Sequence, residues 1–446
     1  MLYSLNAPND GAYTRARNRR WSILVSLLLL SVCSATQAEQ HGNTLTLATA
    51  IERSLEQNPL LRVFEFRHKL LDGDSNIANL PPAYELGFGA EDFAGTGDSK
   101  GFDGAELSVS LSSILELGDK RLARNNVVDG SRAVLDARQQ TEALDLLGEV
   151  TRRYVEVLAA QARLTLAQVA TRLAEDTLNE VKKRSDAGAV PVAEVQRARA
   201  AAGQARLTAA SETQQLNYRR VALAELWGER TPSFTSVEGS LYQFGEDREF
   251  EALYAKLTQN PAILVFAAEQ RLRDAELRLA NAQANTDVRW SVGLKQFQET
   301  DDTAIMAGFS VPLFSSKRNR GATQSAVAAR DEVAVRKEAA MLSLHTQLFH
   351  TYSNRQQAIL TVKALQSSII PSLEQALRET QRAYQHGRYS YLDYLTARQE
   401  LISARRTLID AASAVLRYGA DIEQLTATPL SEVRTNSVEQ IQGVSQ

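Results

Sequence analysis

Two hydrophobic periodicities alternate along this chain. Residues 45–79 and 249–284 are rich in leucine, alanine and charged side chains, and the pattern predicts a helix over each. Two segments of strict alternation follow each helix. In the first half Tyr84, Leu86, Phe88 and Ala90 alternate with Glu85, Gly87, Gly89 and Glu91. Leu107, Val109 and Leu111 then alternate with Glu106, Ser108, Ser110 and Ser112. In the second half Val288, Trp290, Val292 and Leu294 alternate with Arg289, Ser291, Gly293 and Lys295. Ile305, Ala307, Phe309 and Val311 alternate with Met306, Gly308 and Ser310. The pattern predicts strands at about 84–93, 104–114, 287–297 and 303–313, joined by Gly/Asp-rich links at Gly95–Gly104 and Glu299–Asp302.

The remaining sequence reads as two long helical hairpins, 121–186 with 191–228 and 318–386 with 390–426. Leu147, Val150, Tyr154, Val157 and Leu164 have the spacing of a coiled-coil seam. Ala198, Ala202, Ala205 and Ala209 form a stripe that permits close helix packing. Pro371 is expected to break the second long helix. The hairpin tips fall at Ala187–Pro191 and Gln385–Arg388, where Gly188 and Gly387 suit left-handed helix ends.

The two halves repeat one another. Gln57-Asn58-Pro59 answers Gln259-Asn260-Pro261. Val63-Phe64 answers Val265-Phe266, and Ala78-Asn79 answers Ala280-Asn281, all at one offset of 202. Gly188 answers Gly387, and Ala198-Arg199 answers Ala397-Arg398, with little drift. An ordered series of this kind indicates an internal two-fold repeat. The predicted organisation is a signal peptide at 1–38, repeats at 39–248 and 249–428, and a polar tail at 429–446.

Alternating segments of about ten residues are what a transmembrane barrel strand requires, although a soluble sheet with one buried face alternates in the same way. Four strands cannot close a barrel, for which eight is about the minimum, and lipid tolerates no open sheet edge. If these strands enter a membrane, several chains contribute, and three would supply twelve strands.

Composition narrows the field further. The net charge of -3 gives no basic excess, so nucleic acid is not an expected partner. Cys33 is the one cysteine, which excludes a disulfide framework and a thiolate metal site. It lies in an export-like segment: Arg15, Arg17, Arg19 and Arg20 precede an apolar Ile23–Val32 core, and Thr36-Gln37-Ala38 offers a cleavage site. Acylation of Cys33 is an alternative route of processing, and the adjacent Arg19-Arg20 carries a weak twin-arginine signal. No stretch of about 18 apolar residues follows residue 38.

Paired strands before paired helices, the duplication, an Asn-Pro in each leading helix and a glycine at each tip together resemble the TolC-like outer-membrane efflux proteins. The stretch Leu115-Glu116-Leu117-Gly118-Asp119-Lys120-Arg121 is similar to the LELGGKR of the cobalt–zinc–cadmium subgroup, with Asp119 in place of the second glycine. The resemblance implies a mixed α and β membrane protein: a homotrimer whose twelve strands form an outer-membrane barrel continuous with a helical periplasmic tunnel. It implies a periplasmic adaptor and an inner-membrane pump of the resistance–nodulation–division class as partners. It also implies passive export of heavy-metal cations, with drugs or secreted polypeptides as alternative cargo.

By the same resemblance Asp393, six residues after Gly387, lines the narrow periplasmic aperture. Glu194 stands at the equivalent place after Gly188, and Tyr384 and Arg388 match a region that ties the closed helices together. Three-fold symmetry would make Asp393 a ring of carboxylates attractive to cations. The competing role is a helix-start acid that complements the helix dipole. Thr396 stands where relatives carry a second tip acid, which weakens cation selection. Gly188, Val190, Gly387 and Tyr389 are the expected adaptor contacts. Glu85, Glu91, Glu106, Arg289 and Lys295 are the expected lumen residues of the strands, and their mixed signs suggest a wet pore of low selectivity. Neither a catalytic constellation nor a cofactor or metal site is expected: His41, His68, His345, His350 and His386 form no ligand motif. A periplasmic coiled-coil scaffold or adaptor is the competing class, although adaptors carry one hairpin and this chain carries two.

Overall fold

The computed structural model describes residues 44–97, 101–102 and 104–430, with the side chains of Ser315 and Ser316 excepted. The expected signal peptide, Cys33 and the tail beyond residue 430 lie outside the described residues.

The chain opens with a short strand β1 (Thr44–Leu45), then helices α1 (Leu47–Gln57) and α2 (Pro59–Asn79). The strands β2 (Glu85–Glu91) and β3 (Glu106–Leu115) lead into the hairpin α3 (Lys120–Asp186) and α4 (Val192–Ala224). After β4 (Ser236–Val237) the order recurs: α5 (Phe250–Tyr254), α6 (Pro261–Gln283), β5 (Val288–Phe297), β6 (Asp302–Ser310), the short α7 (Ser315–Arg318), α8 (Arg320–Ala364), α9 (Ile370–Gln385) and α10 (Tyr391–Thr426). At 67 residues α3 reaches about 100 Å.

Each leading helix is divided, where one continuous helix was expected. Proline has no N–H to donate and excludes the residue before it from helical geometry, so Asn58-Pro59 and Asn260-Pro261 each end one helix and start another. The two asparagines do the same work. Asn58 accepts from the Leu60 N–H at 2.8 Å and donates to the Leu226 carbonyl at 2.8 Å. Asn260 accepts from the Ala262 N–H at 2.8 Å and donates to the Leu425 carbonyl at 2.7 Å. Each therefore pins the start of a leading helix to the chain at the far end of its own hairpin.

Pro371 interrupts the second long helix without ending it. The helix widens into a π-turn at Leu365–Ile369 and runs on as α9. A π-turn accommodates the ring and the missing donor without ending the helix. The outer strands are also shorter than expected. Asp92 and Ala94 adopt left-handed φ values of 53° and 58° just after β2, and β6 stops two residues before Pro312. Asp302, assigned to a link, is the first residue of β6. Leu430, the second residue of the expected tail, is buried against Leu253, Leu257 and Ile422.

The main sheet has the order β2-β3-β5-β6, antiparallel throughout, so β2 and β6 are its free edges. Its register sorts the faces. Leu86, Phe88, Val109, Val292, Leu294, Ile305 and Phe309 share one face, and the polar partners share the other. The apolar face is uncovered: Phe88, Ile305 and Phe309 are 76%, 79% and 83% exposed. On the polar face Arg289 meets Glu85 at 2.8 Å, and Lys295 meets Glu91 at 3.2 Å and also Glu106. Close approach of strands on this face demands glycine. A Cβ on Gly293 would lie 2.5 Å from the Val109 carbonyl oxygen.

The core lies among the helices near β1 and β4, where Val150, Tyr154, Val157, Leu223, Trp227 and Val415 are buried together. Tyr154, a member of the predicted seam, donates to the Leu45 carbonyl at 2.9 Å. In the helical layer α2 packs on α3, α3 on α6, and α6 on α8, so α2 and α8 lie at the outer edges as β2 and β6 do in the sheet.

Candidate functional site

The hairpin ends are the candidate site. Lys183, Arg184 and Asp186 close α3, and the chain reverses through Gly188 at φ 76°; α9 reverses through Gly387 at φ 70°. Both turns carry the same paired bonds. Gly188 N–H donates to Ser185 and Ala189 N–H to Arg184; Gly387 donates to Tyr384 and Arg388 to Ala383. A Cβ at either glycine would be strained in this left-handed region.

The two ends pack on one another. Val181, Val195 and Ala198 from the first hairpin are buried with Tyr384, Tyr391 and Tyr394 from the second. Tyr384 is the centre of this contact. Its ring stacks on Tyr394 at 5.9 Å and 10° and tilts against Tyr391 at 6.1 Å. The Arg184 guanidinium lies 4.6 Å from the Tyr384 ring centroid and donates to the Tyr384 carbonyl at 3.1 Å. The Tyr384 hydroxyl donates to the Glu194 carboxylate at 3.4 Å. Burial, and then the Glu194 charge, push the Tyr384 hydroxyl up to about 12, so it stays a neutral donor at physiological pH.

Asp393 has other partners. It is the third residue of α10 and forms a capping box with Ser390, whose N–H and hydroxyl donate to it at 3.0 and 2.7 Å. Asp393 N–H donates back to Ser390 at 3.3 Å. The Ser390 bonds hold its carboxyl below the usual carboxylate range. It is exposed, as is expected of a helix-start acid. Arg388 and Tyr389 are exposed at the tip, with Val192 and Leu392 beside them, and Val190 is half-buried. The structure therefore joins Tyr384 to Glu194 and leaves Arg388 and Asp393 apart from that pair.

Sequence reasoning missed Arg184, Tyr391 and Tyr394. A usable signal was present, because four tyrosines, Tyr384 included, fall in the eleven residues from Tyr384 to Tyr394 across the second tip.

Residues 50–229 and 252–428 match the outer membrane efflux protein family. The chain belongs to that family. It is 27% identical over 318 residues to the cobalt-zinc-cadmium resistance protein CzcC of Cupriavidus metallidurans, covering 71% of this chain and 76% of that protein. It is 23% identical over 438 residues to the outer membrane protein TolC of Salmonella enteritidis, covering 90% of this chain and 84% of that protein. In fold it is similar to a solved structure of CusC, with a TM-score of 0.69, 18% identity, and coverage of 88% of this chain and 95% of that one. The expected TolC-like resemblance and the expected outer-membrane location hold, and the match to CzcC accords with the Leu115–Arg121 stretch. Membership places the chain among the efflux proteins of the outer membrane.

Proposed function

We propose that the protein is the exit duct of a tripartite efflux system: a homotrimer that carries heavy-metal cations from an inner-membrane pump through the outer membrane. One observation carries the reading. A four-stranded sheet with a bare apolar face and an ion-paired polar face ends in two unpaired edges, β2 and β6. In lipid those edges must be satisfied, and β6 of one copy meeting β2 of the next satisfies both. Three copies give a barrel of twelve strands, within the range that closes. The helical layer supports the same closure. Val63, Phe66, Leu70 and Ile77 on α2 and Val335, Leu342 and Phe349 on α8 are exposed at near-heptad spacing on the two outer helices. The internal two-fold repeat accounts for the matching order of the halves, each supplying two strands and one hairpin.

The helical hairpins extend into the periplasm. Their tips carry Gly188, Val190, Gly387 and Tyr389 as the adaptor contact and form the aperture. There the Tyr384–Glu194 bond, backed by Arg184, latches one hairpin to the other in the closed state. Asp393 and Arg388 face the aperture from the second tip. The barrel interior, where most charges are paired, discriminates little among solutes. Choice of cargo rests with the pump. Metal cations are favoured by the relation to CzcC and by Leu115–Arg121.

Deleting the gene should make cells sensitive to cobalt, zinc and cadmium salts, and a plasmid copy should restore growth. Unchanged metal sensitivity with increased sensitivity to hydrophobic drugs would reassign the cargo and keep the duct.

A further inference from the structure

About 10–20 Å above the tips, by helix rise, α4 and α10 part over α3 and leave a groove of about 560 Å³. Its walls combine small and aliphatic side chains, among them Ala167, Ala201 and Ile402, with the neutral polar Gln204, Thr208 and Gln399. Its two ends differ in charge. At the far end Arg406 meets Glu212 at 3.1 Å and Arg163 meets Asp410 at 2.6 Å, so these cations are neutralised. At the tip end stand Arg398 and Arg197. Arg398 is only 6% exposed, and its recorded bond is a long 3.5 Å donation to the Thr177 hydroxyl. Among the described residues no carboxylate lies within ion-pair distance of either arginine.

A buried guanidinium without an anion is costly, and water reached through a narrow groove offsets only part of that cost. The fork of Arg398 fits a carboxylate, and the alanines and Ile402 offer contact to an aliphatic body. From Arg398 to Arg406 the groove spans eight residues of α10, about 12 Å. Apolar pockets with a few fixed polar groups are the usual form of small-molecule sites between helices.

We propose that this groove binds an organic monocarboxylate with a medium-length aliphatic chain, its carboxylate on Arg398 and Arg197 and its chain along the alanine walls. The site adjoins the latch, because the Thr177 hydroxyl that accepts from Arg398 lies 3.5 Å from the Tyr394 hydroxyl, and its ligand is an anion, unlike the cargo proposed above.

The test is equilibrium dialysis of radiolabelled octanoate against the purified full-length protein in amphipol, with amphipol alone as the blank. Saturable binding is expected, with octanol at least tenfold weaker. Arg398→Gln should weaken octanoate at least tenfold and Arg197→Gln about threefold. Ala201→Phe, which puts a bulky ring on the groove wall, should abolish binding. Should Arg398→Gln fail to fold, the exposed Arg197 and the groove-filling variant still decide the matter. Octanol binding as tightly as octanoate, or an ineffective Ala201→Phe, would overturn the site. Displacement of octanoate by an equal concentration of inorganic phosphate would reduce it to a bare anion site and overturn the aliphatic part. A Glu/Ala-repeat helical peptide that outcompeted octanoate would assign the groove to a protein partner and overturn the small acid.

Discussion

Gly188 and Gly387 turn the α3–α4 and α9–α10 hairpins through the same left-handed conformation, and an acid follows each by six residues. Both acids are the third residue of their helix. The residue that begins the helix separates them. Ser390 has a hydroxyl and an N–H to give, and both bind Asp393. Pro191 has neither, so Glu194 finds no partner at its own helix start and meets Tyr384 of the other hairpin. The contrast teaches that the spacing of an acid from a turn does not set its role. The capping capacity of the residue three positions earlier does.

The strongest way to break the contrast is Tyr384→Ala. It removes a ring held by two tyrosines and Arg184, and the loss should be about 3–5 kcal/mol of stability at the tips. Denaturant unfolding and a higher basal conductance are the readouts, and a silent variant would contradict a latch centred on this ring. Ser390→Ala should cost about 1 kcal/mol through the lost hydroxyl cap, leaving Asp393 its bond from the backbone N–H, without breaking the Tyr384–Glu194 contact.

Tyr384→Phe and Glu194→Gln isolate the hydroxyl bond. Each should raise open probability by the equivalent of about 1 kcal/mol, and the double variant should add little to either single one. Pro191→Ser sharpens the comparison by giving the first tip the capping residue of the second. It should draw Glu194 back to its own helix and mimic Glu194→Gln in conductance.

The smallest expected effect is on pH. The Asp393 carboxyl is held below its ordinary range, so its stabilisation is complete above that range and is lost as pH falls through the lowered value. The start of α10 should fray in acid, and Ser390→Ala should weaken that dependence without removing it, because the backbone N–H at position 390 still donates to Asp393. Tyr384 behaves oppositely. Its contribution is complete below pH 10 and is lost as pH rises toward about 12.

Much of this fold was legible in the sequence because two periods, two and near 3.6, are hard to confuse over long segments. The alternating runs at Leu86–Ala90 and Val288–Leu294 became β2 and β5, and both tip glycines took positive φ. The breaks were less legible. Asn58-Pro59 was readable as a helix stop, whereas Pro371 follows a π-turn that keeps the chain helical, with Leu365 and Ile370 buried beside Leu401. The tip residues were half legible: Tyr384 and Glu194 lie 190 positions apart, and no local pattern pairs them. Arg184 was hidden because a basic residue in a last helical turn is ordinary.

Single-channel recording in planar bilayers, with native mass determination on the same purified sample, tests the central claim most directly. The account predicts a trimer with discrete openings whose open probability rises in Tyr384→Phe and in Glu194→Gln. A monomer that neither conducts nor partitions into lipid would contradict it.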